Sequence, residues 1–250
     1  WKSHEIDFLN ATIHDILVED TNGNGIKEII ATIGRPVYID DSIRNISGKI
    51  VSYEFDPDKK IWNKDIVWEY NNKIWINFTP VHVEEYEHAR YMFTSDIDND
   101  GIKEIIVNVI GTGNIELFEY NGVDYTRKII EDKLNIHNSA IAVGDIDLDG
   151  NNEIIALTLP ENTLLMYDYN DDIWQREVIV DNLISDEFGK IGYLFIINSN
   201  DNSYAKIVYT ESINYQSMDL YYLEHDNNVW NKNYISTINK SIYVWGIFQA

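Results

Sequence analysis

The stretch DIDLDGNNE, residues 145–153, places acidic side chains at alternate positions ahead of a glycine and ends in glutamate. DIDNDGIKE at 96–104 repeats the pattern, DTNGNGIKE at 20–28 keeps a weaker version, and NSNDNSYAK at 198–206 ends in lysine. We number these stretches in chain order, so that loop 1 is 20–28, loop 2 is 96–104, loop 3 is 145–153 and loop 4 is 198–206. Their starting positions indicate a repeating unit of about 50 residues, with the first unit enlarged.

Each unit contains four short runs that have the composition of strands. In the third unit, one apolar run (SAIAVG) leads into the acidic loop and a second (EIIALTL) leaves it. A third run (NTLLMYDYN) alternates in polarity, and a fourth (WQREVIVD) starts at an aromatic residue. Four strands per unit, repeated at this period, predict an all-β fold, a β-propeller of four-stranded blades. The predicted repeats span approximately 11–70, 88–132, 138–182 and 190–236.

The two ends of the chain resemble further strands of the same pattern. Residues 1–10 are similar to a last strand and residues 241–250 to a first strand. We therefore expect either four complete blades with an incomplete fifth that closes a small ring, or a segment of a larger propeller. The stop at Ala250, where another acidic loop would begin, favours the segment.

Composition excludes several classes of function. The net charge of −23 disfavours binding to nucleic acid or anionic lipid. No run of about 18 apolar residues is present, so we expect no membrane insertion. The absence of cysteine excludes disulfides, thiolate catalysis and cysteine-type zinc sites.

The acidic loops have the donor pattern of a calcium site. Side-chain oxygens lie at positions 1, 3, 5 and 9, a carbonyl is available at position 7, and position 6 is a glycine suited to a sharp turn. Such oxygen donors suit calcium rather than zinc. An EF-hand would need glutamate at position 12 and flanking helices, whereas position 12 here falls inside a predicted strand. Three copies in register favour a metal site over a metal-free Asx turn.

We predict about three calcium sites, the weakest of them in loop 1, which has only two carboxylates. No calcium is expected at 198–206, where the Lys206 ammonium partly substitutes for the cation by bonding loop carbonyls. The predicted ligands are Asp20, Asn22, Asn24, Ile26 and Glu28 in loop 1, Asp96, Asp98, Asp100, Ile102 and Glu104 in loop 2, and Asp145, Asp147, Asp149, Asn151 and Glu153 in loop 3.

The D-x-D-x-D-G-x-x-E loops between a first and a second strand resemble FG-GAP/VCBS repeats, the calcium-binding blades of the integrin α-subunit N-terminal propeller and of many secreted microbial proteins. The resemblance covers nearly the whole chain. It implies a structural role for calcium and an extracellular location, either secreted or at the cell surface. Members of this family include adhesion domains, sugar-binding lectins, and accessory or catalytic propellers of polysaccharide lyases.

Two insertions in the first unit, at 34–47 and 71–89, fall on the face opposite the acidic loops and are expected to be neighbours. Loops on a rigid scaffold commonly carry function, although insertions also tolerate sequence drift. His88 and His137 stand at the same distance before their acidic loops, near the entry of an innermost strand. The candidate ligand-binding residues are Arg35, Tyr38, Arg44, Trp75, His82, Tyr86, His88, Arg90 and His137.

These observations favour a binding or adhesion module for a glycan or a protein, acting through the face opposite the calcium loops. One alternative is an accessory or catalytic propeller of a secreted carbohydrate-active enzyme, similar to a polysaccharide lyase, with His88, Arg90 and His137 near its site. Another is a purely structural part of a cell-surface assembly. Further blades or domains of the same polypeptide are possible partners, and no catalytic residue is assigned.

Overall fold

The chain forms two compact units, Trp1–Asn138 and Ser139–Ala250. The computed structural model describes residues 5–9, 11–34, 38–39, 42–43, 48–70, 87–132, 140–158, 162–183, 190–197, 204–214, 217–227 and 229–239. Within these ranges the regular secondary structure is β-strand throughout. The described residues include no helix with the length and apolar character needed to cross a membrane.

The first unit contains two four-stranded antiparallel sheets and a two-stranded ladder. Its strands are β1 (Thr12–Glu19), β2 (Glu28–Gly34), β3 (Tyr38–Ile39), β4 (Ser42–Ile43), β5 (Lys49–Asp56), β6 (Ile61–Glu69), β7 (His88–Ser95), β8 (Glu104–Ile110), β9 (Asn114–Tyr120) and β10 (Tyr125–Glu131). Sheet 1 has the order β1-β2-β5-β6, sheet 2 has the order β7-β8-β9-β10, and β3 pairs with β4.

The second unit contains two further four-stranded antiparallel sheets. Its strands are β11 (Ile141–Gly144), β12 (Glu153–Leu157), β13 (Leu164–Asn170), β14 (Ile173–Val180), β15 (Lys190–Ile197), β16 (Lys206–Asn214), β17 (Ser217–Asp226) and β18 (Val229–Asn239). Sheet 3 has the order β11-β12-β13-β14 and sheet 4 has the order β15-β16-β17-β18.

The predicted all-β fold of four-stranded, propeller-type blades is confirmed, since four such sheets follow one another along the chain. Sheets 1, 2 and 3 lie within the first three predicted repeats, whereas β18 of sheet 4 continues to Asn239, beyond the predicted end of the fourth repeat at 236. Residues 241–250, predicted as a first strand, lie outside the described residues, and residues 5–9 carry no strand.

The position of each strand in its sheet explains its sequence. The second strands β2, β8 and β12 are buried along almost their whole length, and their sequences EIIATIG, EIIVNVI and EIIAL are mainly apolar after the leading glutamate. The outer strands β10 and β14 contain no fully buried residue, and the consecutive polar residues TRK and QRE lie within them. Central strands therefore supply apolar surface on both faces, which is the main source of stability for such sheets.

The core of the first unit lies on both faces of sheet 1. One cluster packs sheet 1 against sheet 2 and contains Ile30, Ile50, Val67, Tyr70, Ala89, Met92, Ile105, Val107, Val109 and Phe118. A second cluster, on the other face of sheet 1, contains Ala31, Ile33, Val51 and Tyr53, and Leu9 and Ala11 pack against it. The N-terminal segment therefore covers the face of sheet 1 that sheet 2 leaves open.

The core of the second unit joins sheets 3 and 4 in the same way. Ile155, Leu157 and Leu164 from sheet 3 belong to one buried cluster with Leu194, Ile207, Tyr209 and Leu223 from sheet 4. A backbone hydrogen bond from Ala205 N to Ile146 O, 2.8 Å long, ties the end of loop 4 to loop 3.

The first strands share an irregularity near their beginning. The pairing shifts register between Ile13 and Asp15 in β1, between Ala89 and Met92 in β7, and between Ile191 and Leu194 in β15. A bulge of this kind re-aims the side chains beside it. His14 in β1 and Arg90 in β7 lie at these bulges.

Candidate metal centres

Loops 1, 2 and 3 each connect the first strand of a sheet to the second. The position 1 aspartate folds each loop back on itself, because its Oδ2 accepts a hydrogen bond from the glycine N–H at position 6. The donors are Gly25 at 2.8 Å, Gly101 at 3.0 Å and Gly150 at 3.2 Å. These three glycines have φ between 86° and 97°, a left-handed conformation that side chains with a Cβ adopt only with strain.

Two successive side-chain turns then place positions 3 and 5. In loop 2, Asp98 Oδ1 accepts from the N–H of Asp100 at 3.2 Å, and Asp100 Oδ1 accepts from the N–H of Ile102 at 2.7 Å. Loop 3 repeats both contacts, with Asp147 accepting from Asp149 N at 3.1 Å and Asp149 accepting from Asn151 N at 2.7 Å. One oxygen of each carboxylate is thus used to hold the loop, which leaves the second oxygen for a ligand.

The glutamate at position 9 is the first residue of the second strand and is almost fully buried. Glu104 is 2% exposed and Glu153 is 1% exposed. Glu104 Oε2 accepts from Ile97 N at 2.8 Å, and Glu153 Oε2 accepts from Ile146 N at 2.7 Å. Each glutamate is therefore fixed against position 2 of its own loop.

The arrangement brings three carboxylates together in loop 2 and three in loop 3. Ligand oxygens of Asp96, Asp98 and Glu104 lie within 4.8 Å of one another, and so do those of Asp145, Asp147 and Glu153. The position 5 aspartates Asp100 and Asp149 are not members of these groups of three.

The electrostatics of both groups disfavour three ionised carboxylates without a cation. Burial, together with the nearby Asp98 carboxylate, raises the pKa of Glu104 to about 7. Burial, together with Asp147, raises the pKa of Glu153 to about 8. Buried oxygens of Asp96, Asp145 and Glu153 also have no hydrogen-bond partner.

These observations show whether the residues of loops 2 and 3 suit the predicted metal. An unpaired buried carboxylate oxygen is costly, and oxygen donors of this number suit a hard divalent cation. The residues of loops 2 and 3 fit such a cation. Carbonyls of Ile102 and Asn151, predicted as ligands, belong to the same turns.

Loop 1 has the same turns but a different set of contacts. Asp20 folds back on Gly25, Asn22 Oδ1 accepts from Asn24 N at 3.0 Å, and Asn24 Oδ1 accepts from Ile26 N at 2.7 Å. Glu28 Oε1, however, accepts a hydrogen bond from Asn22 Nδ2 at 3.0 Å. An amide nitrogen therefore lies beside the glutamate where loops 2 and 3 have a carboxylate oxygen.

The match to a known family coincides with these loops. Residues 96–156, from the first acid of loop 2 to the strand that follows loop 3, match the family model described as an FG-GAP-like repeat. The resemblance predicted from the sequence is thereby confirmed for this segment. No curated protein matches the chain.

The strand register shows one set of residues that was not predicted from the sequence. An acid lies near the end of the third strand of every sheet. It directly precedes the ring residue that pairs with the first aromatic residue of the fourth strand. The four acids are Glu54, Glu119, Asp168 and Glu224. Asn22 Nδ2 and Asn24 Nδ2 donate to Glu54 Oε2 at 3.3 Å and 2.6 Å, so this acid reaches the loop. The recurring signal in the sequence is an acid followed by an aromatic ring and Asp or Asn: EFD, EYN, DYN and EHD.

Lys206 in loop 4 contacts the same third-strand acid. Its Nζ lies 2.8 Å from Glu224 Oε1, and it also lies over the Tyr222 ring, 5.3 Å from the centroid. The predicted contacts with loop carbonyls concern residues 198–203, which lie outside the described residues.

Two of the predicted ligand-binding residues are described with their side chains. His88 is 6% exposed and packs against the ring of His14, with centroids 4.5 Å apart. The Arg90 guanidinium lies over the Tyr91 ring at 5.3 Å. Tyr38 belongs to β3, but its side chain is not described. The remaining predicted residues lie outside the described part of the chain: Arg35, Arg44, Trp75, His82, Tyr86 and His137.

The aromatic residues that begin the fourth strands pack across their own hairpins. They pair with a ring on the third strand at centroid distances of 5.2 Å (Phe55–Trp62), 5.2 Å (Tyr120–Tyr125), 5.0 Å (Tyr169–Trp174) and 5.1 Å (His225–Trp230). Such cross-strand pairs stabilise each blade.

Proposed function

We propose that the chain is a calcium-stabilised extracellular binding module of the propeller type. The observation that carries the proposal is the buried Glu153, whose second oxygen has no hydrogen-bond partner and lies in a group of three carboxylates. One calcium ion in loop 2 and another in loop 3 would neutralise these groups and hold each acidic loop to the strand that follows it. The FG-GAP-like repeat supports this role, because such repeats are generally calcium-binding.

Calcium is the cation of choice on chemical grounds. The donors are carboxylate and carbonyl oxygens, which exclude the nitrogen and sulfur preferences of zinc and copper. Calcium accepts six to eight oxygens in flexible geometry, whereas magnesium demands a near-ideal octahedron. Extracellular calcium reaches the millimolar range that fills sites of moderate affinity.

Chelation tests the calcium proposal. Calcium at 100 times its Kd stabilises the folded state by about 2.7 kcal/mol per site, so the Tm should fall by roughly 5–11 °C for each site emptied by a chelator. Asp147→Asn should reduce the shift, because it removes a charged ligand, while Asp124→Asn, an exposed acid outside the loops, should not. An unchanged Tm in chelator would contradict the proposal.

The binding surface is proposed at the sheet ends remote from the acidic loops. The insertion 34–47 leaves β2 at Gly34 and returns at Gly48, and the second insertion, 71–89, runs into the start of β7 at His88. A Cβ built on Gly34 or Gly48 would come within 2.6 Å or 2.8 Å of the His88 Cβ. Both insertions therefore have their roots against one histidine, which supports the expectation that they are neighbours.

A buried polar network lies beside these roots. Tyr70 N donates to Gly48 O at 2.8 Å, and the Tyr70 hydroxyl donates to Glu116 Oε2 at 3.1 Å. Arg127 Nε donates to the same Glu116 oxygen at 2.9 Å, and its guanidinium lies over the Trp68 ring at 5.3 Å. A fully paired network of this kind rigidifies its surroundings, as a binding loop requires of its base.

The ligand proposal is tested with the insertions themselves. Replacing 35–47 or 72–86 with a short glycine-serine linker should abolish binding to a glycan array or to a panel of cell-surface proteins. The calcium-dependent Tm shift of each variant serves as the folding control. Binding that survives both replacements would place the ligand surface elsewhere.

A further inference from the structure

The third-strand acid lies beside position 9 of the acidic loop in all four sheets. Ile29 pairs with Tyr53, Ile105 with Phe118, Ile154 with Tyr167 and Ile207 with Leu223. The next residues outward are Glu28 and Glu54, Glu104 and Glu119, Glu153 and Asp168, and Lys206 and Glu224. Neighbouring antiparallel strands hold such residues close together, so this geometry is a constant of the repeat.

In sheets 1 and 4, nitrogen donors of the loop bond this acid, amides in sheet 1 and an ammonium in sheet 4. Glu54 accepts from the amide groups of Asn22 and Asn24, and Glu224 binds the ammonium of Lys206. Each of these contacts puts an N–H between groups that would otherwise repel one another.

In sheet 3, the acid faces carboxylates instead. Asp168 Oδ2 accepts from Asn170 Nδ2, while Asp168 Oδ1 is buried and has no hydrogen-bond partner. Glu153 beside it also keeps one buried oxygen without a partner. Burial and the Asp149 carboxylate both raise the pKa of Asp168, which is consistent with this crowding.

The difference between loops 1 and 3 is isosteric. In both loops Oδ1 at positions 3 and 5 holds the turn, so the second atom of each side chain is the one that varies. In loop 1 these second atoms are amide nitrogens that bond Glu54. In loop 3 they are carboxylate oxygens of Asp147 and Asp149, and Asp149 Oδ2 accepts a hydrogen bond from Asn151 Nδ2 at 3.0 Å.

We infer that Asp168 supplies a ligand oxygen to the cation of loop 3, and that loop 1 is closed by its own amides in place of a cation. Glu119 has the corresponding position at loop 2, where it also pairs with Lys128. The inference rests on the proposed calcium function and changes the expected number of sites from about three to two. It also explains why one fold keeps an acid on the third strand of every sheet.

Calcium titration of the full chain tests the inference. Isothermal titration calorimetry of the chelator-stripped protein should show two calcium equivalents for the wild type. Asp168→Asn should weaken one of these two calcium equivalents by at least about 10–100-fold. Mutations of residues that only support metal ligands already weaken binding by this amount. Glu224→Gln, the matched change in sheet 4, should leave both affinities unchanged.

The stability of the protein in chelator distinguishes a ligand role of Asp168 from a structural one. If Asp168 is a calcium ligand, its replacement should cost no stability once calcium is removed. In chelator, Asp168→Asn should be at least as stable as the wild type, because the change removes a carboxylate from a repulsive group; circular dichroism melting measures this. If Asp168→Asn does not fold, Glu119→Gln makes the same test at loop 2. Asn22→Asp with Asn24→Asp should add a third calcium equivalent by restoring carboxylates to loop 1.

The outcomes separate the two proposals. A wild type that binds no calcium overturns the calcium function and the inference with it. A wild type that binds calcium while Asp168→Asn binds equally well overturns the role of Asp168 alone. Three equivalents in the wild type overturn the closure of loop 1 by its amides.

Discussion

Replacing Arg127 by methionine removes the cation that neutralises a carboxylate in the core of the first unit. Glu116 is 0% exposed, and Arg127 binds both of its oxygens, while Tyr70 and Asn114 supply the remaining hydrogen bonds. Methionine keeps most of the apolar length of the side chain that packs over Trp68. The variant therefore isolates the loss of charge from the loss of packing.

The expected cost follows from the burial of the pair. Breaking a buried ion pair by removing one partner costs about 3–5 kcal/mol, because an uncompensated charge remains in the core. The Arg127 side chain is 25% exposed. Solvent therefore screens part of the interaction, and we expect the lower end, about 3 kcal/mol. In a chain of this length that corresponds to a Tm lower by roughly 6–12 °C.

The assay is urea or thermal unfolding, followed by circular dichroism at saturating calcium. Arg176→Met is the matched control, since Arg176 has the same place in sheet 3 but is exposed, and Leu165 stands where sheet 2 has Glu116. That control should change stability by about 0.5 kcal/mol or less. Equal losses for the two variants would refute the argument, and replacing Glu116 by leucine in the Arg127→Met background should recover part of the loss.

Three further changes have defined outcomes. Leu148→Gly should stabilise the protein by about 0.5–1 kcal/mol, because Leu148 has a φ of 63° and glycine adopts this conformation without strain. Gly48→Ala should destabilise it by about 3 kcal/mol, since the new Cβ would lie 2.4 Å from the backbone oxygen of Glu87. Asp7→Asn should destabilise the protein at neutral pH, and the difference should close as the pH falls below 3.8, because Lys64 lowers the pKa of folded Asp7 from that value.

Matched variants sharpen each of these measurements. Asn99→Gly should gain less than Leu148→Gly in urea midpoint, because asparagine tolerates positive φ. Gly34→Ala should cost somewhat less than Gly48→Ala, because its nearest contact is the His88 Cβ at 2.6 Å and not a backbone oxygen at 2.4 Å. Asp58→Asn, at another exposed site, should change stability at neutral pH by less than Asp7→Asn does. The reverse order in any pair would contradict the corresponding argument.

The strands and the acidic loops could be predicted because both depend on local sequence. The runs EIIVNVI and EIIAL are mainly apolar after their leading glutamate because their strands are buried on both faces. The loop needs a glycine at position 6 because the position 1 aspartate bonds the N–H of a residue with positive φ. A short window of sequence contains all of this information.

The third-strand acids could not be found in the same way, because they belong to the loops only through strand register. Asp168 is distant from loop 3 along the chain and becomes its neighbour when Ile154 pairs with Tyr167. The contact of His88 with His14 was missed for a related reason, since a bulge in β1 re-aims His14. From the sequence, His88 was instead expected to resemble His137, which lies outside the described residues.

The meaning of an asparagine in these loops also depends on the third strand. By composition, Asn22 and Asn24 made loop 1 a weaker version of loops 2 and 3. In the structure their nitrogens bond Glu28 and Glu54, so the amide is a replacement for the cation and not a poorer ligand.

The outer-strand cations show how neighbouring sheets are joined. Arg127 of β10 lies over Trp68 of the preceding sheet, and Lys232 of β18 donates to the carbonyl of Leu183, which follows β14, at 3.3 Å. Lys64 of β6 has the corresponding position in sheet 1, and its partner is Asp7 at 2.7 Å. Asp7 of the N-terminal segment thus contacts sheet 1 in the way that Trp68, near the end of β6, contacts sheet 2. This gives a physical reason for the similarity of residues 1–10 to a last strand.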